Sequence, residues 1–339
     1  MLDKFFFTCN AVFPIIVLIW LGYIIKIKGI LSQDFFKSLN KLCFNILLPF
    51  LLFYNIYNVS DIYNILQNWK VTLFSTILIL VIYFLGFCVV HFFVENSKQK
   101  GVVLQCIFRS NFAIIGIPLA TTLSQGNPEP VAIAAVISTI SIPLFNILAT
   151  ITLNIFLREN SDGNETNIKL KEVLIKIIKN PLIRGVFIGI LLLVIREFIP
   201  TNLTGKRIFS IKSELPFLYT AIEMVAKSAT PLALIALGGE FTFEAISKLK
   251  KLICLGTVFR IVIVPGICLS LAYVFGFSKL YFPALIGLFG TPVAVSSVPM
   301  AAKMNNDSEL AGQLVVWTTL FSSVTMFSEI FILAQLNLL

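Results

Sequence analysis

Charged side chains are too scarce in this chain to cover a water-soluble globule. Asp, Glu, Lys and Arg make up 13% of its 339 residues, against about 25% in an ordinary soluble domain. Histidine is nearly absent. His91 stands alone, at the end of an apolar segment, an interfacial position that excludes His-rich metal chemistry. None of the six cysteines (Cys9, Cys43, Cys88, Cys106, Cys254, Cys268) forms a CxxC pair, and all lie in or beside apolar segments. They read as small buried hydrophobes. There is no HExxH motif, no pair of intramembrane aspartates and no Ser–His pairing at a plausible depth, so an intramembrane enzyme has no chemistry to work with. The formal net charge is +9, yet the basic residues build no groove or stripe. Nucleic acid is therefore excluded as a partner. No metal or cofactor site is expected.

What the chain has in quantity is apolar length. It is 58% hydrophobic, with a mean hydropathy of +0.93. About 20 apolar residues cross a bilayer as a helix. Ten such spans can be drawn, at 5–27, 36–57, 71–93, 102–122, 131–157, 182–199, 216–238, 252–277, 281–304 and 310–335. The first runs past Trp20 to Ile27, too long for a cleaved signal core, and is expected to be retained. Most connections are short. The exception, 158–181, is hydrophilic and contains Ser161-Asp162-Gly163-Asn164, a turn signal. Its second part, 168–179, places Leu170, Val173, Leu174, Ile177 and Ile178 at helical spacing between lysines, which predicts an amphipathic helix on the membrane surface. Lys and Arg concentrate in the odd-numbered connections, so these are assigned to the cytoplasm and both termini to the outside. The sixth connection, with Arg196, Lys206, Arg207 and Lys212, runs against this trend.

Two stretches are expensive in lipid. Arg109-Ser110-Asn111 precedes Gly116-Ile117-Pro118-Leu119 in span four, and Gly290-Thr291-Pro292 precedes Ser296-Ser297-Val298-Pro299 in span nine. A charge at mid-bilayer costs roughly 2.5 kcal/mol or more, and proline breaks the helical ladder. The spacing repeats. Pro49 and Pro118 stand 69 residues apart, Pro231 and Pro299 stand 68 apart, and Lys70 matches Lys251 at an offset of 181. Two units of five spans must insert in opposite senses because five is odd. The fold class is therefore an all-α integral membrane protein with ten transmembrane helices. They form two inverted five-helix repeats, 1–157 and 182–339, joined by a cytoplasmic loop, with broken crossing helices four and nine. That pattern points to a secondary transporter.

The residues suggest roles. Pro118 and Pro299 are expected to start the second halves of their spans, Gly116 to permit the turn before Pro118, and Ser296 and Ser297 to cap the half-helix at Pro299. Exposed helix starts bind anions. Asn111, Ser110 and Thr291 are placed to offer neutral hydrogen bonds to a carboxylate. Arg109 is either a contact for the substrate anion or a cation snorkelling to the cytoplasmic interface. Glu223 and Lys227, four apart on span seven, read first as a structural pair and second as a coupling element. Arg260 has no obvious partner. Glu329 is expected near the outer interface, as a candidate for proton coupling. Asn45 and Lys41 precede Pro49; Lys41 reads as an interfacial anchor that the site can also recruit.

Ten spans, Leu39-Asn40-Lys41 ahead of Pro49-Phe50-Leu51-Leu52-Phe53, Gly116-Ile117-Pro118-Leu119 after Asn111, and Ala229-Thr230-Pro231-Leu232-Ala233-Leu234-Ile235-Ala236-Leu237-Gly238-Gly239 together resemble the auxin efflux carrier family. Its bacterial members include malonate and malate permeases. The resemblance covers nearly the whole chain. It implies a crossover of spans four and nine, a substrate carboxylate near Asn111, and elevator-type alternating access; Thr230 is a further substrate-site candidate. It also implies a scaffold of spans one, two, six and seven. The sequence departs from that pattern in two ways. At the repeat offset Asn111 falls on Pro292, so Thr291 or Ser296 must serve there, and the plant members' long loop is reduced to 158–181, which speaks against auxin. The expected partners are a small carboxylate, the lipid bilayer, a coupling H⁺ or Na⁺, and a second copy in a homodimer. The expected location is the cell membrane. A cation/proton antiporter of related ten-span architecture is the alternative, but spans four and nine contain no Asp or Glu.

The orientation is directly testable. In a variant whose native cysteines are replaced by alanine, Asn337→Cys should react with a membrane-impermeant thiol reagent on intact cells. Lys98→Cys should react only after the cells are opened, and the reverse pattern would invert the assignment.

Overall fold

The computed structural model describes residues 2–58, 68–158, 175, 179, 181–199, 210–240 and 246–339. The amphipathic helix expected at 168–179 falls outside these residues except for Ile175 and Lys179. All extended secondary structure among the described residues is one isolated bridge; the rest is helix and turn. In chain order the helices are α1 (Leu2–Ile27), α2 (Gln33–Leu42), α3 (Leu48–Tyr57), α4 (Trp69–Phe93), α5 (Ser97–Phe108), α6 (Ile117–Leu123) and α7 (Pro128–Arg158). They continue with α8 (Pro181–Glu197), α9 (Pro216–Glu240), α10 (Ile246–Val258), α11 (Val264–Val274), α12 (Phe282–Phe289), α13 (Ser297–Lys303) and α14 (Ser308–Gln335).

Six helical stretches are long and apolar enough to cross a membrane: Gln33–Tyr57, Trp69–Phe93, Glu129–Leu157, Pro216–Glu240, Leu249–Val274 and Ser308–Gln335. Shorter apolar helices at Ile16–Ile27, Phe112–Leu123, Phe187–Arg196 and Lys279–Phe289 lie at the other four drawn spans. The surface confirms the solvent. Phe84, Phe92, Phe187 and Val274 are exposed while Arg109, Ser110, Asn111, Asn146 and Arg260 are buried, the reverse of what water selects.

Prolines do not break every helix they enter. Cys43–Leu47, Phe112–Gly116 and Phe259–Ile263 are single π turns, and each ends two residues before Pro49, Pro118 or Pro265. The proline ring clashes with the carbonyl four residues back, and widening that turn relieves the clash without ending the helix. Pro231 sits inside an unbroken α9.

The helices form two packed groups that meet where α1 lies against α14 and α8 against α7. In one, α9 lies against α1, α2 and α3, and α8 lies against α3. Backbone contact holds it: a Cβ on Gly22 would overlap the Ile235 carbonyl, and one on Gly238 would overlap the Ile19 carbonyl. Small residues let membrane helices approach this closely where the hydrophobic effect cannot drive them together. Asn40 Nδ2 also donates to Glu240 (3.1 Å), tying α2 to the end of α9. The second group contains α4, α5, α6, α7, α10, α12, α13 and α14. Asp307 closes its far end, accepting from Leu310 N (2.9 Å) and from Gln99 Nε2 (2.9 Å). Asn306 Nδ2 donates to Leu153 O (2.8 Å).

Gly238→Leu should overpack the α1–α9 seam and cost about 1–3 kcal/mol or more, read as a lower melting midpoint of the detergent-solubilised protein. Gly266→Ala, where a Cβ meets no atom within 4 Å, should leave the midpoint unchanged.

Candidate substrate site at the crossing of two interrupted helices

The break in span four lies at Arg109–Asn111, between α5 and the π turn Phe112–Gly116. That in span nine lies at 290–296, between α12 and α13. The two breaks pair with each other. Ser110 and Val293 form an antiparallel bridge, Asn111 N donates to Pro292 O (2.8 Å), and Ala294 N donates to Arg109 O (3.3 Å). Each unwound segment thus satisfies backbone groups of the other, which lipid cannot do. In the same antiparallel register Gly116 meets Gly287. A Cβ on either would collide with the other's carbonyl, so both must be glycine for α12 to lie against α6.

This geometry corrects several expectations. Gly116 has helical angles, φ −66 and ψ −47, so it serves close approach and not a turn; the turn is at Arg109–Asn111. Helix resumes at Phe112, ahead of Pro118, because the π turn absorbs the proline. Pro299 is the third residue of α13, whose cap position is Ser296. The Ser296 hydroxyl makes no cap bond and accepts from Arg109 instead. Thr291 Oγ1 donates to Gly287 O (2.9 Å), which removes it as a donor to a ligand.

Arg109 does not snorkel. It is 2% exposed, and its guanidinium donates to Asn146 Oδ1 (2.7 Å), Ser296 Oγ (2.8 Å) and Met300 Sδ (2.9 Å). All three acceptors are neutral, and no carboxylate among the described residues pairs with it. Around it, Ser110 Oγ, Asn111 Nδ2 and Ser297 Oγ are buried without a hydrogen-bond partner. A buried charge with no counter-charge and a set of orphaned polar atoms is costly in isolation; together they are what a bound anion would satisfy.

Arg260 is the second buried cation, at 1% exposure. It rises from the π turn ahead of Pro265. Nε donates to Thr291 O (3.0 Å), Nη1 to Ile107 O (3.2 Å) and Nη2 to Phe289 O. Its partners, which the sequence did not reveal, are therefore main-chain carbonyls. Glu329 lies close to the second interruption. Its Oε2 is buried, lacks a hydrogen-bond partner and abuts Gly290, where a Cβ would collide with it.

The remaining candidates lie elsewhere or at the margin. Thr230 is half-buried on α9, which also packs on the Phe112–Gly116 turn. Asn45 is exposed and turns back to donate to Lys41 O (2.7 Å); Lys41 is exposed as well. Glu223 pairs with Lys227 (2.7 Å) and accepts from Tyr54 Oη (2.9 Å). Sequence reasoning missed Asn146 and Met300. Asn146 did leave a signal, an amide in an apolar run.

The profile of the membrane transport protein family matches residues 7–328. The chain belongs to that family. This agrees with the auxin efflux carrier resemblance carried by Asn111, Gly116-Ile117-Pro118-Leu119 and Ala229–Gly239. It is also similar to an uncharacterized transporter of Methanothermobacter thermautotrophicus, at 22% identity over 328 residues, covering 94% of this chain and 96% of that relative. The protein is thus a multi-pass transporter of a membrane transport family.

Gly287→Val should separate the two crossing segments. Backbone overlap with Gly116 should abolish transport and lower the melting midpoint, a loss read by uptake and thermal unfolding together, and Gly116→Val should do the same.

Proposed function

We propose that this chain is a secondary transporter of small organic anions, carboxylates such as malate or malonate, working by alternating access around the crossing. The observation that carries the reading is Arg109: a buried guanidinium whose partners among the described residues are neutral, beside the amide of Asn111 and the hydroxyls of Ser110 and Ser297, which have no hydrogen-bond partner among those residues. A carboxylate supplies both the missing charge and the missing acceptors. The starts of the two resumed helices add partial positive charge on the same side of the balance.

In this reading the ten apolar stretches are ten spans in two inverted repeats, 1–157 and 182–339, with both termini outside the cell membrane. The pairing of Asn111 with Pro292, which the repeat offset makes equivalents, supports the repeat: equivalents meet where a pseudo-two-fold axis passes. The packed set α1, α2–α3, α8 and α9 is the scaffold. The set containing the crossing is the moving part. Glu329 and the Glu223–Lys227 pair are the coupling candidates for H⁺ or Na⁺. An antiporter that carries a cation in the crossing is disfavoured, because 97–123 and 282–303 contain no acidic residue and Arg109 already holds a positive charge there.

Purified protein in liposomes, offered labelled mono- and dicarboxylates, should take up at least one that competes with malate or malonate. Asn111→Ala should cut that uptake by about 10-fold or more, the loss of one hydrogen bond to a charged group at about 1.5–3 kcal/mol. Unchanged uptake by Asn111→Ala would remove it from the site. Proton flux elicited by alkali cations alone would replace the anion reading with the antiporter.

A further inference from the structure

Helix C-termini carry partial negative charge, and carbonyls that end two interrupted membrane helices form a ready seat for a monovalent cation. This crossing has such a seat. Ile107 lies in the last turn of α5, Phe289 is the last residue of α12, and Thr291 follows in the unwound segment. Their carbonyls converge on one point. A carboxylate lies beside them: Glu329 Oε2 is buried against Gly290, the residue between Phe289 and Thr291. Three carbonyls with a carboxylate nearby are oxygen groups of the kind a hard cation takes.

The point is held by the Arg260 guanidinium, with one nitrogen on each carbonyl. The side chain is delivered by α10 and its π turn, an element outside the crossing itself. We propose that Arg260 is a tethered cation: the protein's own guanidinium fills a monovalent-cation seat at the crossing. No sodium ion is needed there to hold the two breaks together. Removing the side chain opens the seat to Na⁺ or to free guanidinium. Arg260 is thereby a positioning residue. It fixes the ends of α5 and α12, and through them the segments 109–111 and 291–294 that present Arg109 and Asn111.

The test is thermal unfolding of the purified full chain, with NaCl, guanidinium chloride and choline chloride compared at equal low concentration. Wild type should respond alike to all three salts. Arg260→Ala should melt below wild type and regain about 2–4 °C with Na⁺ or guanidinium but not with choline. No selective response in Arg260→Ala, or the same selective response in wild type, overturns the proposal. Should Arg260→Ala not survive extraction, Arg260→Lys and Arg260→Met decide: recovery of the lysine variant alone supports a cation seat, and any other pattern contradicts it. A second arm uses liposomes and rests on the transport reading. Wild-type carboxylate uptake should be equal in sodium and choline media. Sodium-dependent uptake that Glu329→Gln abolishes would overturn the tethered-cation proposal and leave the carboxylate reading standing. Absence of carboxylate uptake in both media would instead remove the carboxylate reading, with the melting data still judging the seat.

Discussion

Backbone pairing between 109–111 and 292–294 is what lets two interrupted spans exist side by side in lipid. Two helices that stop inside a bilayer expose N–H and carbonyl groups where no water can bind them. Here each break supplies partners for the other, through Asn111 N to Pro292 O and Ala294 N to Arg109 O. The pairing needs the flanking helices to touch, so Gly116 and Gly287 face each other without side chains. It also leaves helix ends of both polarities near one another, and the chain handles the two polarities differently.

The negative ends receive Arg260, whose donors are consumed by main-chain carbonyls. The positive starts, at Phe112 and Ser297, receive no counter-charge among the described residues. They are joined instead by Arg109, which is bonded to neutral groups, and by polar atoms without partners. One cation is therefore spent on holding the fold, and the other is left in excess. A protein in lipid tolerates an excess of buried charge where function requires it, and an anion entering the crossing would relieve it. Packing favours the same division. The glycine-mediated seam of α1 with α9 makes one tight body, while the crossing belongs to the other, so a relative shift of the two would carry the site without dismantling it.

Much of this is legible in the sequence because lipid makes polar residues conspicuous. Arg109, Asn111 and the proline-bearing motifs stand out from apolar surroundings, and which two spans are interrupted follows. Their internal geometry does not. Pro118 marks a disturbance, but the strain it causes falls on the carbonyl of Ile114 four residues earlier, and the π turn Phe112–Gly116 absorbs it. The chain unwinds further upstream, where pairing with span nine compensates. The same device hides Pro49 and Pro265 inside continuous helices. Long-range partners are illegible for a different reason. Met300 lies 191 residues from Arg109 and Phe289 lies 29 from Arg260, and no local periodicity encodes either contact. Gly290 is the hardest case, since its missing side chain makes sense only once Glu329 is seen beside it.

If the excess charge of Arg109 is reserved for a carboxylate, binding must depend on the charge of the ligand. Calorimetric titration of the purified protein with a dicarboxylic acid and with its neutral diamide measures that dependence. The acid should give heat of binding and the diamide none, and the acid signal should vanish in Arg109→Gln. Equal binding of acid and diamide, or an unchanged acid signal in Arg109→Gln, would show that Arg109 holds no place for a carboxylate.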